Sequence, residues 1–132
     1  MDRKSAYGFG MEIDAPYEEA VERTKDALEA EGFGVLSEID VRATLKRKLD
    51  VDFEKYVILG ACNPHLAHRA LIEEHELGLL LPCNVVVHEH DGRTVVSAAD
   101  PEVMLGTSDN PALAAVASEA KERLTRALES LR

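Results

Sequence analysis

The stretch PCNVVVHEHDGRTVVSAA, residues 82–99, decides the fold. It contains two strand-like apolar segments, Pro82–His88 and Thr94–Ala99, on either side of the dipeptide Asp91-Gly92. An Asp-Gly loop between β-prone segments is the strongest short-range signal for an antiparallel hairpin, and its two-residue length fixes the register. The expected neighbours are His90 with Arg93, Val86 with Ser97, and Cys83 with Asp100 at the far end of the hairpin.

Apolar periodicity predicts the other elements around this hairpin. The predicted strands are Tyr7–Ile13, Phe33–Ile39 and Tyr56–Ala61, with Phe33, Val35, Ser37 and Ile39 on one side of the second strand. The predicted helices are Ala15–Glu31 after an Asp14 cap, Val41–Leu49 after an Asp40 cap, Asn63-Pro64 to about His75, a turn at Asp100-Pro101 and a long helix from Asn110-Pro111. Because most strands follow one another without full crossover helices, we predict an α+β fold: an antiparallel sheet with helices on one face.

Length and charge narrow the range of functions. A chain of 132 residues is long enough for one domain, residues 1–132, that needs no cofactor to fold. The net charge of −10 repels phosphate backbones and anionic lipids, so nucleic acid and membranes are not expected partners. The longest apolar run, Leu77–Val87, is too short for a membrane span, and no export-signal pattern is present. Since two cysteines are too few for a disulfide scaffold, we expect a soluble cytoplasmic protein.

Two cysteine-containing tripeptides form the sharpest candidate site. They are Cys62-Asn63-Pro64, which closes one predicted strand, and Pro82-Cys83-Asn84, which opens another. If these strands are antiparallel neighbours, both cysteines lie at the same edge of the sheet. Cys62 also directly precedes a helix N-terminus, where the macrodipole and the free amides lower the pKa of a cysteine. The residue type itself favours a simpler interpretation, in which both cysteines are small buried apolar side chains.

Two other groups of residues are weaker candidates for a functional site. His65 and His68 could nominally join the two cysteines as metal ligands, but the spacing matches no recurrent zinc pattern. Helical geometry also turns both histidines away from the apolar stripe, so we expect no metal site. A basic segment could bind an anionic small molecule, although a solvated helix face is the commoner reason for such a run. Its cations are Arg42, Lys46, Arg47 and Lys48.

Three segments of the chain resemble the domain-of-unknown-function 302 family of bacterial and archaeal proteins. They are GFGVLSEIDVRATLKRKL (32–49), GACNPHLAHRAL (60–71) and GLLLPCNVVV (78–87), in this order. One position departs from the pattern, because Asp50 stands where relatives often have glycine. The signature residues of the family correspond to Cys62, Asn63, Pro64, Pro82, Cys83 and Asn84.

The resemblance implies a β-α-β4-α arrangement like that of the TATA-binding-protein-like folds. In such a fold a curved antiparallel sheet grips a long C-terminal helix, and the resemblance also implies a homodimer. It does not imply DNA binding, since fold and function separate easily. The family has no established activity that could be carried over to this chain.

Three functional hypotheses remain open at this point. The first is a non-catalytic domain that binds a small ligand, with Asn63 and Asn84 as hydrogen-bonding groups near Cys62 and Cys83. The second is a thiol-based redox or sensor protein, with Cys62 as the thiolate and Cys83 as its resolving partner. The third is a purely structural or dimerisation protein. No motif names the ligand or decides whether the chain is an enzyme.

Overall fold

A computed structural model describes the whole chain, Met1–Arg132, and shows one six-stranded antiparallel sheet. The strands are β1 (Arg3–Lys4), β2 (Gly8–Ile13), β3 (Gly34–Asp40), β4 (Tyr56–Cys62), β5 (Cys83–His90) and β6 (Arg93–Ala99). Their order across the sheet is β1-β2-β6-β5-β4-β3, so β4, β5 and β6 lie side by side in its middle. The α+β prediction with an antiparallel sheet is confirmed.

Five α-helices and one 3-10 helix connect and cover these strands. The α-helices are α1 (Tyr17–Ala30), α2 (Val41–Leu49), α3 (Pro64–Glu73), α4 (Pro101–Leu105) and α5 (Leu113–Glu129). The 3-10 helix is His75–Leu80. The last of the α-helices is the long C-terminal helix that the sequence predicts.

The core lies between one face of the sheet and the helices α1 and α5. Alternate residues of the strands point to this face, as the two-residue period of a strand requires. Leu59, Val85, Val87 and Val96 are fully buried there, and Leu124 meets them from α5. We call this side the core face.

The opposite side of the sheet is formed by the remaining alternate residues of the same strands, and we call it the open face. At its centre lie Ile58, Asn84, Val86, His88 and Ser97, none of which is fully buried. Hairpin pairing confirms the predicted register, with Val86 opposite Ser97 and His90 opposite Arg93. The residue composition of the open face is therefore fixed by the register of β4, β5 and β6.

Several local predictions need correction. Asp14 does not cap α1, because the cap position is Pro16 and no side chain accepts a hydrogen bond there. The long helix begins at Leu113 rather than at Asn110, whose side-chain oxygen instead accepts from the amide of Ala112 in the preceding turn. A β-bulge between Val35 and Ser37 shifts the register of β3.

Because of that bulge, the predicted single-sided set in β3 is wrong. Val35 is paired with Ala61, and the next paired residue, Ser37, lies opposite Gly60. Two residues of β3 therefore take the place of one, and the residues beyond the bulge change faces. Ser37 and Ile39 consequently lie on the open face.

Two aspartates adopt backbone conformations that usually favour glycine. Asp50 follows α2 in the left-handed region, with φ 54° and ψ 37°, and its amide donates to the carbonyl of Lys46. This conformation explains a preference for glycine at the position, since glycine adopts positive φ at no steric cost. Asp91 and Gly92 in the hairpin turn have φ values of 52° and 73°, as a type I′ turn requires.

No helix in Met1–Arg132 is both long enough and apolar enough to cross a membrane.

Candidate functional site

Strands β4 and β5 bring the two cysteine-containing tripeptides to one end of the sheet. The strands are antiparallel neighbours, with Ala61 opposite Cys83 and Gly60 opposite Asn84. Cys62 closes β4 one step beyond Ala61. The six residues named from the sequence are therefore neighbours in space, although about twenty positions separate the tripeptides in the chain.

Strand alternation nevertheless divides this set between the two faces of the sheet. Cys83 follows the core-face pattern of Val85 and Val87, whereas Asn84 lies on the open face and is exposed. Asn63 lies beyond β4 and borders a small cavity that Asn84 does not line. The hypothesis that both amides bind one ligand stays a prediction.

Gly60 shows how tightly the strand ends pack on the open face. A Cβ atom at this position would collide with the side chains of Ser37 and Pro82. The absence of a side chain thus lets Pro82, held by a cis peptide bond after Leu81, lie across β4. Pro82 has a packing function in this arrangement.

A small cavity lies beside the two cysteines, between the end of the sheet and the helices α3, α4 and α5. Its volume is about 40 Å³, and 13 of its 16 lining residues are hydrophobic. Cys62, Asn63 and Cys83 all border it. A cavity of this volume holds one or two water molecules, which makes it far smaller than the several hundred Å³ of a typical metabolite pocket.

The amide of Asn63 is already used by the fold. Its Oδ1 accepts a hydrogen bond from the backbone amide of Leu66 at 3.3 Å, which caps α3, and Pro64 occupies the first turn. Its Nδ2 donates to the carbonyl oxygen of Glu31 at 3.5 Å. With 8% of its surface exposed, Asn63 has a structural function in joining β4, α1 and α3.

The two thiols do not have the electrostatics of reactive cysteines. Burial raises the pKa of Cys62, although a helix N-terminus follows closely. Burial, and then the neighbouring Cys62, raises the pKa of Cys83 to about 11. Burial therefore opposes the lowered pKa predicted for Cys62, and the first-turn amide of Leu66, one of the helix donors, already bonds Asn63.

The other sequence candidates lie apart from this end of the sheet or have partners. His65 and His68 are exposed on α3, as predicted, and no group of three or more His, Cys, Asp or Glu side chains is arranged to hold a metal ion. In α2, Lys46 pairs with Asp50 at 2.9 Å. No residue of α2 is buried.

A second concavity, on the open face, has the dimensions of a ligand site. This open-face groove has a volume of about 720 Å³ and is lined by 15 residues, of which 7 are hydrophobic. The part of the groove that runs along β4, β5 and β6 is formed by Tyr56, Asn84, Val86, His88 and Ser97. Ligand pockets typically have volumes of 300–1,000 Å³ and combine an apolar frame with a few polar groups, as this groove does.

The polar side chains of the groove have free hydrogen-bonding capacity. No side-chain hydrogen bond joins another residue of the chain to Tyr56, Asn84, His88 or Ser97. The rings of Tyr56 and His88 stack with centroids 5.1 Å apart and planes inclined by 23°. Burial lowers the pKa of His88, which favours the neutral imidazole. The groove therefore offers neutral donors and acceptors beside a flat aromatic surface.

Sequence reasoning missed Tyr56, His88 and Ser97 as candidate site residues. The signal that could have found them is the predicted hairpin register, because Val86 opposite Ser97 puts Asn84 and His88 on the same face. Tyr56 lies beside His88 because β4 pairs with β5. This strand pairing is assumed in the sequence-based prediction, and no signal in the sequence establishes it.

The fold and its open-faced sheet define an α+β class of small proteins, and comparison with known proteins identifies the family. The family model described as "Domain of unknown function DUF302" matches residues 9–131. The chain is 33% identical to the protein in the "Crystal structure of uncharacterized conserved protein DUF302 from Bacillus stearothermophilus". That similarity covers 97% of this chain and 100% of the other, with a TM-score of 0.90. The chain belongs to the DUF302 family, and no curated protein matches it.

Proposed function

We propose that the chain is a non-catalytic domain that binds a small ligand in the open-face groove. The observation that carries this proposal is the set of four polar side chains without partners, Tyr56, Asn84, His88 and Ser97, within one concavity of about 720 Å³. Of the sequence-predicted residues, Asn84 belongs to this site. Asn63, Pro82 and Cys83 line the small cavity at the end of the sheet instead.

The cavity beside the cysteines is the weaker alternative for ligand binding. At about 40 Å³ it admits water rather than a metabolite, and its one amide, from Asn63, already has two partners. A redox function of Cys62 and Cys83 also has less support, because burial raises the pKa of both thiols. A cytoplasmic location remains part of the proposal and is compatible with two free cysteines.

The site can be tested by mapping ligand binding onto backbone amides. A library of small metabolites is screened against the ¹⁵N-labelled chain, and shifts in its ¹H–¹⁵N spectrum are assigned to residues. The proposal predicts that a binding compound shifts the amides of Asn84, Val86 and Ser97. Shifts centred on the amides of Leu66 and Leu105, which border the small cavity, would contradict it.

We further propose that two copies of the chain associate through the β3–α2 side. Strand β3 is an edge of the sheet, and α2 has no buried residue, which is unusual for a stable helix. Large apolar side chains are exposed on β3, at the end of α2 and in the following loop. They are Leu36, Ile39, Leu49, Val51 and Phe53, with exposures of 41–71%.

Sedimentation equilibrium measures this association directly. We expect a dimer mass for the natural chain and a shift toward the monomer for Leu36→Ser, because Leu36 is 71% exposed on the edge strand. Ile72→Ser is the matched control, since Ile72 is 61% exposed on α3, away from β3. A monomer mass for the natural chain, or equal effects of both variants, would contradict the proposed interface.

A further inference from the structure

The charge around the open-face groove is opposite to that of the whole chain. Of 132 residues, 25 are Asp or Glu and the net charge is −10, yet the 15 residues that line the groove include no acidic residue. The two cations of this lining, Arg3 and Lys4, form β1. Arg3 is paired with Gly10 and faces the groove, whereas Lys4 is paired with Phe9 and its side chain faces the other side of the sheet. The groove is therefore a locally basic region of an acidic protein.

Neighbouring carboxylates do not remove this positive charge. Glu12 is bonded to both Arg3 and Arg93, at 3.3 Å in each case, so one carboxylate at this rim serves two guanidinium groups. The other acids near the rim have partners of their own. Asp2 bonds Arg132 at 3.2 Å, Asp100 bonds Lys121 at 2.9 Å and Glu54 bonds His90 at 2.7 Å.

The remaining lining groups suit a flat molecule. The stacked rings of Tyr56 and His88 provide an aromatic surface, and Val86 continues it with apolar contact. The amide of Asn84 and the hydroxyl group of Ser97 can donate to an oxygen of a bound molecule. An anionic head near Arg3 and a planar body against the rings would thus match these groups.

We propose that the open-face groove binds a planar organic anion of the aromatic carboxylate class. This inference rests on the proposed ligand-binding function and adds the charge and shape of the ligand. The negative field of the whole chain opposes anion binding over most of the surface, so a nearby cation is needed for an anion to bind in the groove.

Benzoate and benzamide are a matched pair of probes, since they share the ring and differ in charge. Both are titrated into the ¹⁵N-labelled chain and into two variants, Arg3→Gln in the groove and Arg47→Gln on α2. The two variants have the same net charge, and Arg47 does not line the groove. Dissociation constants come from the shifts of the Asn84, Val86 and Ser97 amides.

The proposal predicts that benzoate binds the natural chain at least about threefold more tightly than benzamide does. Arg3→Gln is expected to remove most of this preference, whereas Arg47→Gln retains it. Equal or tighter binding of benzamide at the same amides would overturn the anion assignment and leave the ligand-binding function standing. If neither probe shifts these amides, the aromatic-carboxylate assignment is wrong, and the metabolite screen described above decides the ligand-binding function separately.

Discussion

The two faces of β4, β5 and β6 are built from alternate residues of the same strands, yet they differ in almost every property. On the core face Leu59, Val85 and Val87 are fully buried against α1 and α5. On the open face Asn84, Val86 and His88 line a groove and retain exposed surface. The difference teaches that neighbouring residues in one motif can have unrelated functions. Cys83 belongs to the packing of the core face, whereas Asn84 belongs to the open face.

The largest expected difference between the faces is in stability. Leu59→Ala removes a fully buried side chain from the centre of β4 and should lower the free energy of unfolding by about 2–5 kcal/mol. Ile58→Ala, one residue away on the open face, should cost about 1 kcal/mol or less because its side chain is only partly buried. Urea unfolding of both variants measures the contrast. Similar losses would mean that a partner or helix covers the open face.

The next effect concerns the thiols at the end of the sheet. With a pKa of about 11, Cys83 is a thiolate in only about one molecule in ten thousand at pH 7, so alkylation by iodoacetamide should be very slow. Cys62, whose pKa is raised less, should react faster but still more slowly than free cysteine. The single variants Cys62→Ser and Cys83→Ser separate the two rates. Labelling of Cys62 faster than free cysteine would restore the redox hypothesis.

A smaller effect distinguishes the two asparagines. Asn63→Ala should lower the free energy of unfolding by about 1 kcal/mol, because it removes the side-chain cap of α3. Asn63→Asp keeps a cap acceptor and serves as the control. Asn84→Ala should change stability by less than about 0.5 kcal/mol, as for other exposed positions. Equal losses for both alanine variants would support the purely structural hypothesis.

The smallest expected effect is the change of stability with pH that comes from two histidines of β5, His88 and His90. Burial lowers the pKa of His88, whereas a hydrogen bond to Glu54 raises the pKa of His90 above its ordinary value of 6.5. The stabilising contribution of His90 is thus complete below pH 6.5 and is lost as the pH rises through its folded pKa. The stabilising contribution of neutral His88 is complete above pH 6.5. It is lost as the pH falls through the pKa of His88 in the folded state, which lies below 6.5.

Proton NMR titration of the two imidazoles checks these directions. Glu54→Gln should move the pKa of His90 down towards 6.5, because the principal bond partner is lost. His88 should titrate below 6.5 in both proteins, since burial is the main cause of its shift. A titration of His88 above 6.5 in the natural chain would contradict the groove environment described above.

Much of the fold could be predicted because its signals are local. The Asp91-Gly92 turn fixes the hairpin register, and Asp40 and Asn63 cap α2 and α3 as their sequence positions predict. The bulge at Val35 and Ser37 has no comparable signal, since an extra residue in one strand depends on the partner strand. The two-residue strand β1 is likewise too short for any period to show.

The candidate site was harder to predict than the fold. Proximity of Cys62 and Cys83 follows from strand order, but the volume between them depends on how α4 and α5 pack, which no local pattern encodes. The raised pKa of Cys62 comes from burial, which depends on the packing around the end of β4 and not on a local sequence pattern. The opposite faces of Cys83 and Asn84, by contrast, follow from strand alternation alone.

The account depends most on Asn84 serving a ligand rather than the core. The direct measurement is the affinity of Asn84→Ala for benzoate by NMR titration, with its urea unfolding curve determined on the same sample. We predict about two- to tenfold weaker binding, the loss expected for one hydrogen bond, with unchanged stability. Unchanged binding together with a clear loss of stability would contradict the account.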